Sequence, residues 1–571
     1  MREGRTPGRP LGGPRGCQMV FGLALLLLAS ACTSSGSGGG STGSTPRSGG
    51  QLRIGITQTP DNLNPFVGYE QVSYDIWENI YPQLDQYDTK TLAIEPDFAT
   101  SWTTSSDGLT WTFHTRPNAE WSDGKPLTAA DAAWTINTIM TFAKGPTANL
   151  AGDVAHLKTA TATDANTLVL HYAEPVANVL PNLQVIPILP EHVWAPIAGT
   201  DGKKLRTYPN LPKDGQPVVG GGAFVLSQYK TNQVALFTRN PHWYGPKPYI
   251  DGFGLEFFTD ADAMIAAMKS GSIDAIASPQ GIPPTSVKTL QVNGIHVFVG
   301  PSLTWPDFIL NANTHKAQHR ELLNPLVREA FEYAVDRNSI VKTAYLGYAQ
   351  PGASIIPPST GAWHDASIKP LPFDLTKAAQ LLDQAGDTMG PNGVRVADGH
   401  PMSYTVIFAS DESGPGDRAF QIMQQDFGKI GVRLNQKTQD ADAATLSMYG
   451  PDYTSYPFDL AMWGWITLLD PDYMLAVPTC AQWGVLNDSG YCNKTYDKLY
   501  QEQGTATDPA QRRAIVYQMQ KMIYDARAYI VLAYLDTLEA WSTKWAGLVE
   551  SSQGFFNQFS KASMIGAHQV G

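Results

Sequence analysis

Near residue 260 the apolar pattern of this chain changes period, and that change limits the folds open to it. Before it, hydrophobic residues recur every second position between turn residues. Leu52 to Ile56 alternates and then meets Pro60, which predicts a strand ending in a loop. Asp107-Gly108 between two hydrophobic runs predicts a hairpin, and Thr167 to Tyr172 alternates again. VGGGAFVLSQY and QVALFTRNPHWY, within 219–244, predict a further hairpin, with Gly220–Gly222 permitting unusual backbone angles. Thr128, Asp131 and the apolar-periodic run after them predict a capped helix. Beyond 260, ADAMIAAMKSG has helical spacing and is followed by the short strand run IDAIA. Amphipathic helices are predicted over 328–345, 375–386, 417–432 and 509–526, each followed by a Gly turn or a strand candidate. Hairpins followed by alternating helix and strand predict an α/β architecture with a mostly β portion, and no fixed repeat points to a solenoid or propeller.

The 571 residues suffice for about three to five units at roughly 100–200 residues each. With 43% hydrophobic and 16% charged residues the composition is globular. The net charge is −12, and no stretch interleaves Lys and Arg with aromatics, which argues against a nucleic-acid groove. The 14 Trp, 24 Tyr and 21 Phe suit large cores or an aromatic-lined cleft.

At the N-terminus Arg2, Arg5, Arg9 and Arg15 precede an apolar run from Met19 to Ala29, too short to span a bilayer, as in a secretory signal. Leu28-Ala29-Ser30-Ala31-Cys32 resembles a bacterial lipobox, which implies cleavage before Cys32 and diacylglycerol on it, an ordinary secretory signal with a chance Cys being the alternative. Residues 33–50 are almost all Ser, Thr and Gly, a flexible tether spanning roughly 23 Å. Acyl chains, at about 0.8 kcal/mol per buried methylene, would hold Cys32 at a membrane surface. Loss of residues 1–31 removes four Arg and one Glu, taking the net charge from −12 to −15. With Cys17 in the signal and Cys32 acylated, Cys480 and Cys492 remain in an oxidising compartment; a disulfide is expected, two free buried thiols being the alternative.

Gly39-Gly40-Ser41-Thr42-Gly43 fits GxSxG but lies in the tether, without the strand and helix a nucleophile elbow needs. His315 and His319 stand four apart, yet no HExxH glutamate accompanies them, so they read as surface histidines and no metal site is assigned. Asp470 and Asp472 form an acidic pair of the kind usually solvated. Trp463-Gly464-Trp465 follows the apolar run FDLAM, where α/β sheets emit ligand-contacting loops; core packing of both indoles is the other reading. Trp102, Trp111, Trp121 and Trp134 lie within hairpin patterns and read as core.

The stretch LAIEPDFATSWTTSSDGLTWTFHTRPNAEWSDGKPLTAADAAWT resembles the signature region of the bacterial extracellular solute-binding protein family 5, the oligopeptide- and dipeptide-binding lipoproteins of ABC importers. The resemblance continues through NLNPF, GGGAFVLSQY with RNPHWYG, FILNANTH leading into LVREAFEYAVDRNSIV, and the WGW and DPDYML elements ahead of YCNKTYDKLYQEQ, covering essentially 51–571. It implies an α/β, two-lobe periplasmic binding protein of type II with an additional, mostly β insert domain. On that scheme 1–31 is the lipoprotein signal and 32–50 the acylated Cys and tether. The first lobe is 51–92, 212–310 and 531–571, the insert 93–211, and the second lobe 311–530. The family implies a monomeric capture protein without a cofactor or catalysis. It would sit at the outer face of the cytoplasmic membrane or in the periplasm and deliver a peptide or other small solute to an ABC permease.

Peptide-binding members place an Asp shortly after the GW element to hold the ligand's ammonium. Here the nearest position is Thr467 and the spacing is one residue short, so Asp470 or another carboxylate takes that role, or the ligand has no free α-amine. Ligand contacts are expected from Trp463, Gly464, Trp465, Thr467 and Asp470 on the second lobe, Tyr69 on a first-lobe loop and Asn311 near the crossing. The alternatives are an oligosaccharide, haem, a metal chelate or an opine-like ligand on the same fold, a sensor feeding a signalling partner, or a lipid-anchored hydrolase, for which no catalytic constellation is present.

Overall fold

Strands Thr304–Leu310, Ser403–Ala409 and Leu460–Ile466 send alternate side chains to opposite sides of one sheet. Phe308, Tyr404, Phe408 and Met462 pack on one face, Trp305, Ile309, Ile407 and Ala461 on the other. Burial on both faces explains why FDLAM reads as a nearly unbroken apolar run. In this computed structural model, which describes residues 46–277, 281–410, 414–551 and 559–570, the sheet has five strands. Their order is Arg433–Gln439, Ser403–Ala409, Leu460–Ile466, Thr304–Leu310 and Tyr529–Val531. The signal, Cys32 and the Gly39–Gly43 motif lie outside the described residues. The end of the expected tether is pinned: the Arg47 amide donates to the Gln569 carbonyl at 3.2 Å and that of Gly49 to the Tyr249 carbonyl at 2.8 Å.

A second sheet has eight strands. Gln51–Ile56 lies parallel between Gly252–Phe257 and Ala275–Ile276; Val234–Arg239 and Phe224–Lys230 extend one side, Ala533–Ser542 and Ile295–Pro301 the other. The hairpins before 210 form a separate four-stranded antiparallel sheet, ordered Ala99–Thr104, Thr110–Thr115, Thr167–Tyr172 and Leu157–Asp164. Its Phe113 and Leu168 share one continuous core with Leu52 and Ile54 of the eight-stranded sheet.

The chain passes from the eight-stranded to the five-stranded sheet between Pro301 and Thr304 and returns between Val531 and Ala533. The first crossing therefore precedes the expected 310/311 boundary, because Thr304–Leu310 pairs along its whole length with Leu460–Ile466. Ala349–Pro351, from the segment expected in the second lobe, pairs instead with Ala533–Ser542. The two crossings run side by side: the Ser302 amide donates to the Leu535 carbonyl at 3.0 Å, and that of Leu532 to Pro306 at 2.9 Å.

Local signals set the helix ends. Thr128 and Asp131 form a capping box on Ala129–Thr141, and Gly271 and Gly386 close Ala261–Ser270 and Leu375–Ala385 in left-handed backbone. The helix expected over 328–345 is broken. Pro325–Tyr333 ends, and Asp336 accepts the Ser339 amide at 3.0 Å to start a new turn. Gly220–Gly222 also corrects its expectation, since none of the three has a positive φ. A Cβ at Gly222 would stand 2.4 Å from the Asn79 carbonyl oxygen, so glycine is required for close approach to the end of helix Gln71–Ile80. Cys480 and Cys492 are joined in a disulfide.

Candidate functional site

Helix Pro509–Ala526, capped by Asp508, presents Arg512 from its first turn toward the loop that follows Leu460–Ile466. There Asp470 receives the guanidinium in a fork, Nη1 to Oδ2 at 2.6 Å and Nη2 to Oδ1 at 2.7 Å. Both side chains are buried, at 4% exposure for Arg512 and 9% for Asp470. Arg512 also donates to Gln503 Oε1 at 3.1 Å and lies 4.8 Å over the Trp363 ring. Burial alone would lower the Arg512 pKa; the Asp470 charge and hydrogen bonds outweigh it and hold the group above the ordinary arginine range.

This ion pair forms part of the wall of a cavity of about 230 Å³. On the same side stand Thr360, Trp363, Leu469, Ala506, Thr507 and Pro509. Tyr87, Leu92, Ile94, Trp111, Ala177, Leu180 and Pro181, from earlier in the chain, face them. The two sides touch, the Ala177 amide donating to the Gly504 carbonyl at 2.9 Å, so the cavity lies between closed lobes. Trp111 Nε1 is buried without a hydrogen-bond partner. Burial, and then the Asp470 charge, push the Tyr87 hydroxyl above the usual tyrosine range. The wall is thus mostly apolar and aromatic, with one internally neutralised ion pair and one indole donor to spare.

Tyr87 also lines a second cavity, of about 200 Å³, where Lys561 Nζ meets Asp97 Oδ2 at 2.7 Å and the Tyr244 hydroxyl donates to Asp97 Oδ1 at 2.9 Å. Burial raises the Glu78 carboxyl there, Lys561 opposing the shift. Among the described residues, neither lining set contains a histidine or a cysteine.

Of the seven contacts expected from the sequence, only Asp470 lines the first cavity. Thr467 is buried, and both its amide and its hydroxyl donate to the Leu303 carbonyl, at 3.0 and 3.2 Å. Trp463 and Trp465 are half-buried against the sheet core, with Gly464 between them opposite Pro306; Trp465 Nε1 donates to Asp488 Oδ2 at 3.0 Å. Burial pushes the Asp488 carboxyl up to about 6. Tyr69 is 67% exposed. Asn311 lies beyond Leu310, at the other end of its strand from Thr304 and its partner Ile466, and donates to the Tyr456 and Phe458 carbonyls at 2.8 and 2.6 Å. Asp472 is no solvated carboxylate: Tyr500 and Gln503 donate to it, and burial raises its pKa. The sequence reading missed Tyr87, Trp363 and Arg512, and placed Trp111 in the core.

The family model for the middle region of bacterial extracellular solute-binding proteins, family 5, matches residues 93–484. Protein XP55 of Streptomyces lividans is 28% identical over 524 residues, spanning 91% of this chain and 90% of that protein. The nickel-binding periplasmic protein of Escherichia coli strain K12 is 26% identical over 469 residues, 80% of this chain and 84% of its own. The ABC transporter-associated periplasmic binding protein DppA of Helicobacter pylori, solved with the peptide STSA, has the same fold at a TM-score of 0.72 and 23% identity, over 92% of this chain and 99% of that one. Two lobes, paired crossings and an added β sheet make this a type II periplasmic binding protein, and the chain belongs to the bacterial extracellular solute-binding proteins, family 5.

Proposed function

We propose that this protein is the capture component of an ABC importer, enclosing a peptide or similarly small solute between its lobes and handing it unchanged to a membrane permease. The observation that carries the reading is the cavity between the lobes whose polar wall, Asp470 with Arg512, is already neutralised from within. At about 230 Å³ the space lies below the ~300–1,000 Å³ usual for drug-sized ligands, which favours a small solute. Tyr87, Trp111 and Trp363 would grip it by ring contacts, Trp111 Nε1 supplying a hydrogen bond. Asp470 is committed to Arg512, so an ammonium would find no free carboxylate there, and a solute recognised without an α-amine fits better than a peptide held by its N-terminus. Related proteins named for nickel and solved with a peptide are consistent with a scaffold that changes ligand class.

Residues 1–31 would direct export, and lipid on Cys32 would keep a monomeric body at the outer face of the membrane. Binding without turnover is the reading that fits membership of a family of solute-binding proteins. The test is to produce the protein in a bacterial periplasm, purify it gently, denature it and identify the released small molecules by mass spectrometry. A non-peptide solute is expected to be returned intact on incubation with fresh protein. A ladder of peptides would instead send the ammonium site to a different carboxylate, and conversion of the solute would sink the binding reading.

A further inference from the structure

In the five-stranded sheet Val406 pairs with Leu460, so Ser403 and the residues before it lie at the end opposite Ile466 and the cavity. Three donor groups that the cavity does not use meet there. His319 holds a left-handed φ of 50° just before the turn Arg320–Leu323, which carries Glu321; His400 arrives on strand His400–Pro401. His319 Nδ1 is 3.1 Å from Glu321 Oε1, and His400 Nε2 is 3.4 Å from Glu321 Oε2. One ligand atom from each residue lies within 4.8 Å of the others, and the two imidazoles stand edge to face with centroids 5.0 Å apart. The Glu321 side chain is only 4% exposed, and the Tyr404 hydroxyl orients it by donating to Oε1 at 2.8 Å. Glu321 Oε2 and His400 Nε2 are both buried without a hydrogen-bond partner, although they face each other. Lys316, the nearby cation, is engaged with Asp459 at 3.2 Å and with the His319 carbonyl.

We propose that His319, Glu321 and His400 bind a divalent transition-metal ion, Zn²⁺ in the first instance, with water completing the shell. Two imidazoles and one carboxylate are a zinc-type donor set and a poor one for calcium or magnesium, which prefer oxygen. Tetrahedral bonds of 2.0–2.1 Å place donor atoms roughly 3.3–3.5 Å apart, so the three donors, now within 4.8 Å of one another, must draw in around the ion. Tyr404 is the outer partner that such a carboxylate needs. The ion would tie the loop before helix Pro325–Tyr333 to the His400 hairpin, a staple within the second lobe and separate from the solute. One of the three donors was visible in the sequence as His319, but paired there with His315. The true partner is His400, and the His315 amide is instead bound by Asn313.

The test uses the full chain stripped with EDTA and dialysed. Titration with ZnCl₂ in a calorimeter is expected to give one zinc per chain with a rise in Tm. His400→Ala and Glu321→Gln should each weaken binding by more than the roughly 10–100-fold that losing an outer partner costs, while His315→Ala leaves it unchanged. Circular dichroism checks that the variants fold. Co²⁺ added to stripped wild-type protein supplies a readout independent of any variant, namely the visible absorption of a tetrahedral site. No zinc uptake by the stripped wild type, no cobalt band, or affinity undiminished in His400→Ala would overturn the proposal.

Discussion

Replacing Arg512 by Met is expected to cost far more than an ordinary surface change and to be largely reversed by a second substitution. Arg512 and Asp470 are 4% and 9% exposed and share two hydrogen bonds of 2.6 and 2.7 Å. Without the guanidinium, Asp470 retains the Asp472 amide at 3.0 Å but no positive charge. Breaking a buried pair from one side costs about 3–5 kcal/mol, because the surviving charge is left uncompensated. At roughly 2–4 °C per kcal/mol for a unit of 150–250 residues, Tm should fall by about 6–20 °C if the second lobe unfolds as one such unit. Arg512→Met with Asp470→Leu removes both charges and should recover most of the loss, since apolar replacement of a buried pair is often neutral. Calorimetric melts and urea titrations of the wild type, both single variants and the double variant measure the coupling directly. The reasoning fails if Arg512→Met melts within about 1 kcal/mol of wild type, or if the double variant loses the sum of the two singles. The same variant has a binding consequence: with Asp470 released, affinity for cationic solutes should rise.

Reducing the Cys480–Cys492 bond, or replacing both by Ser, should cost about 3 kcal/mol on a loop-entropy estimate for a separation of 12 residues, read from urea midpoints with and without reductant. Gly222→Ala would drive a Cβ to 2.4 Å from Asn79 O and 2.8 Å from Ile80 C, both backbone atoms; a loss of about 1–3 kcal/mol is expected in thermal melts, and an unchanged Tm would show that the helix end yields freely. Burial, and then repulsion from Asp472, push the Asp153 carboxyl up to about 7, against a backbone hydrogen bond that lowers it, with Tyr74 also nearby. If Asp153 is hydrated in the open form, with a pKa near 3.9, closure is favoured most below about pH 4, weakens as pH rises through about 7 and is level above. Fluorescence transfer between dyes on the two lobes should report less closure at pH 8 than at pH 5 in wild type and no such difference in Asp153→Asn.

What could be read from the sequence is what local chemistry determines. Thr128 with Asp131, and Gly271 and Gly386 after helical runs, act within one turn, so the chain around them is sufficient to place them. Asp336 shows the limit of periodicity: the apolar spacing continues through it, but its side chain caps a new turn and splits the helix. The cavity was far less legible. Tyr87, Trp111, Trp363 and Arg512 come from four segments far apart in the chain, Trp363 packing on Arg512 on one side of the cavity and Tyr87 and Trp111 facing them from the other. Trp111 looks like Trp102 in the sequence, since both lie in strands of one hairpin, and only Trp111 reaches the cavity. Trp463-Gly464-Trp465 stood out for the same local reason that makes it structural, two large rings on one face of a central strand.

The placement of the ion pair governs how capture would work. Asp470 and Arg512 both belong to the second lobe, so their attraction is present whether the lobes are open or closed and contributes nothing to closure. Contacts that differ between the two states are those spanning the cavity, from Tyr87 and Trp111 on one side to Trp363 on the other. A solute touching both sides makes its full set of contacts only in the closed form, and it shifts the population by that difference alone. The crossings beside Ser302 and Leu532 are the two spans at which the lobes can swing, and Thr467, bonded twice to Leu303, ties the loop carrying Asp470 to the first of them. Thr467 would therefore act on affinity through the hinge and not through solute contact. Thr467→Val, which keeps the shape and the amide bond but removes the hydroxyl's, should change the open–closed balance of the solute-free protein, a readout that a residue touching only the solute would leave unmoved.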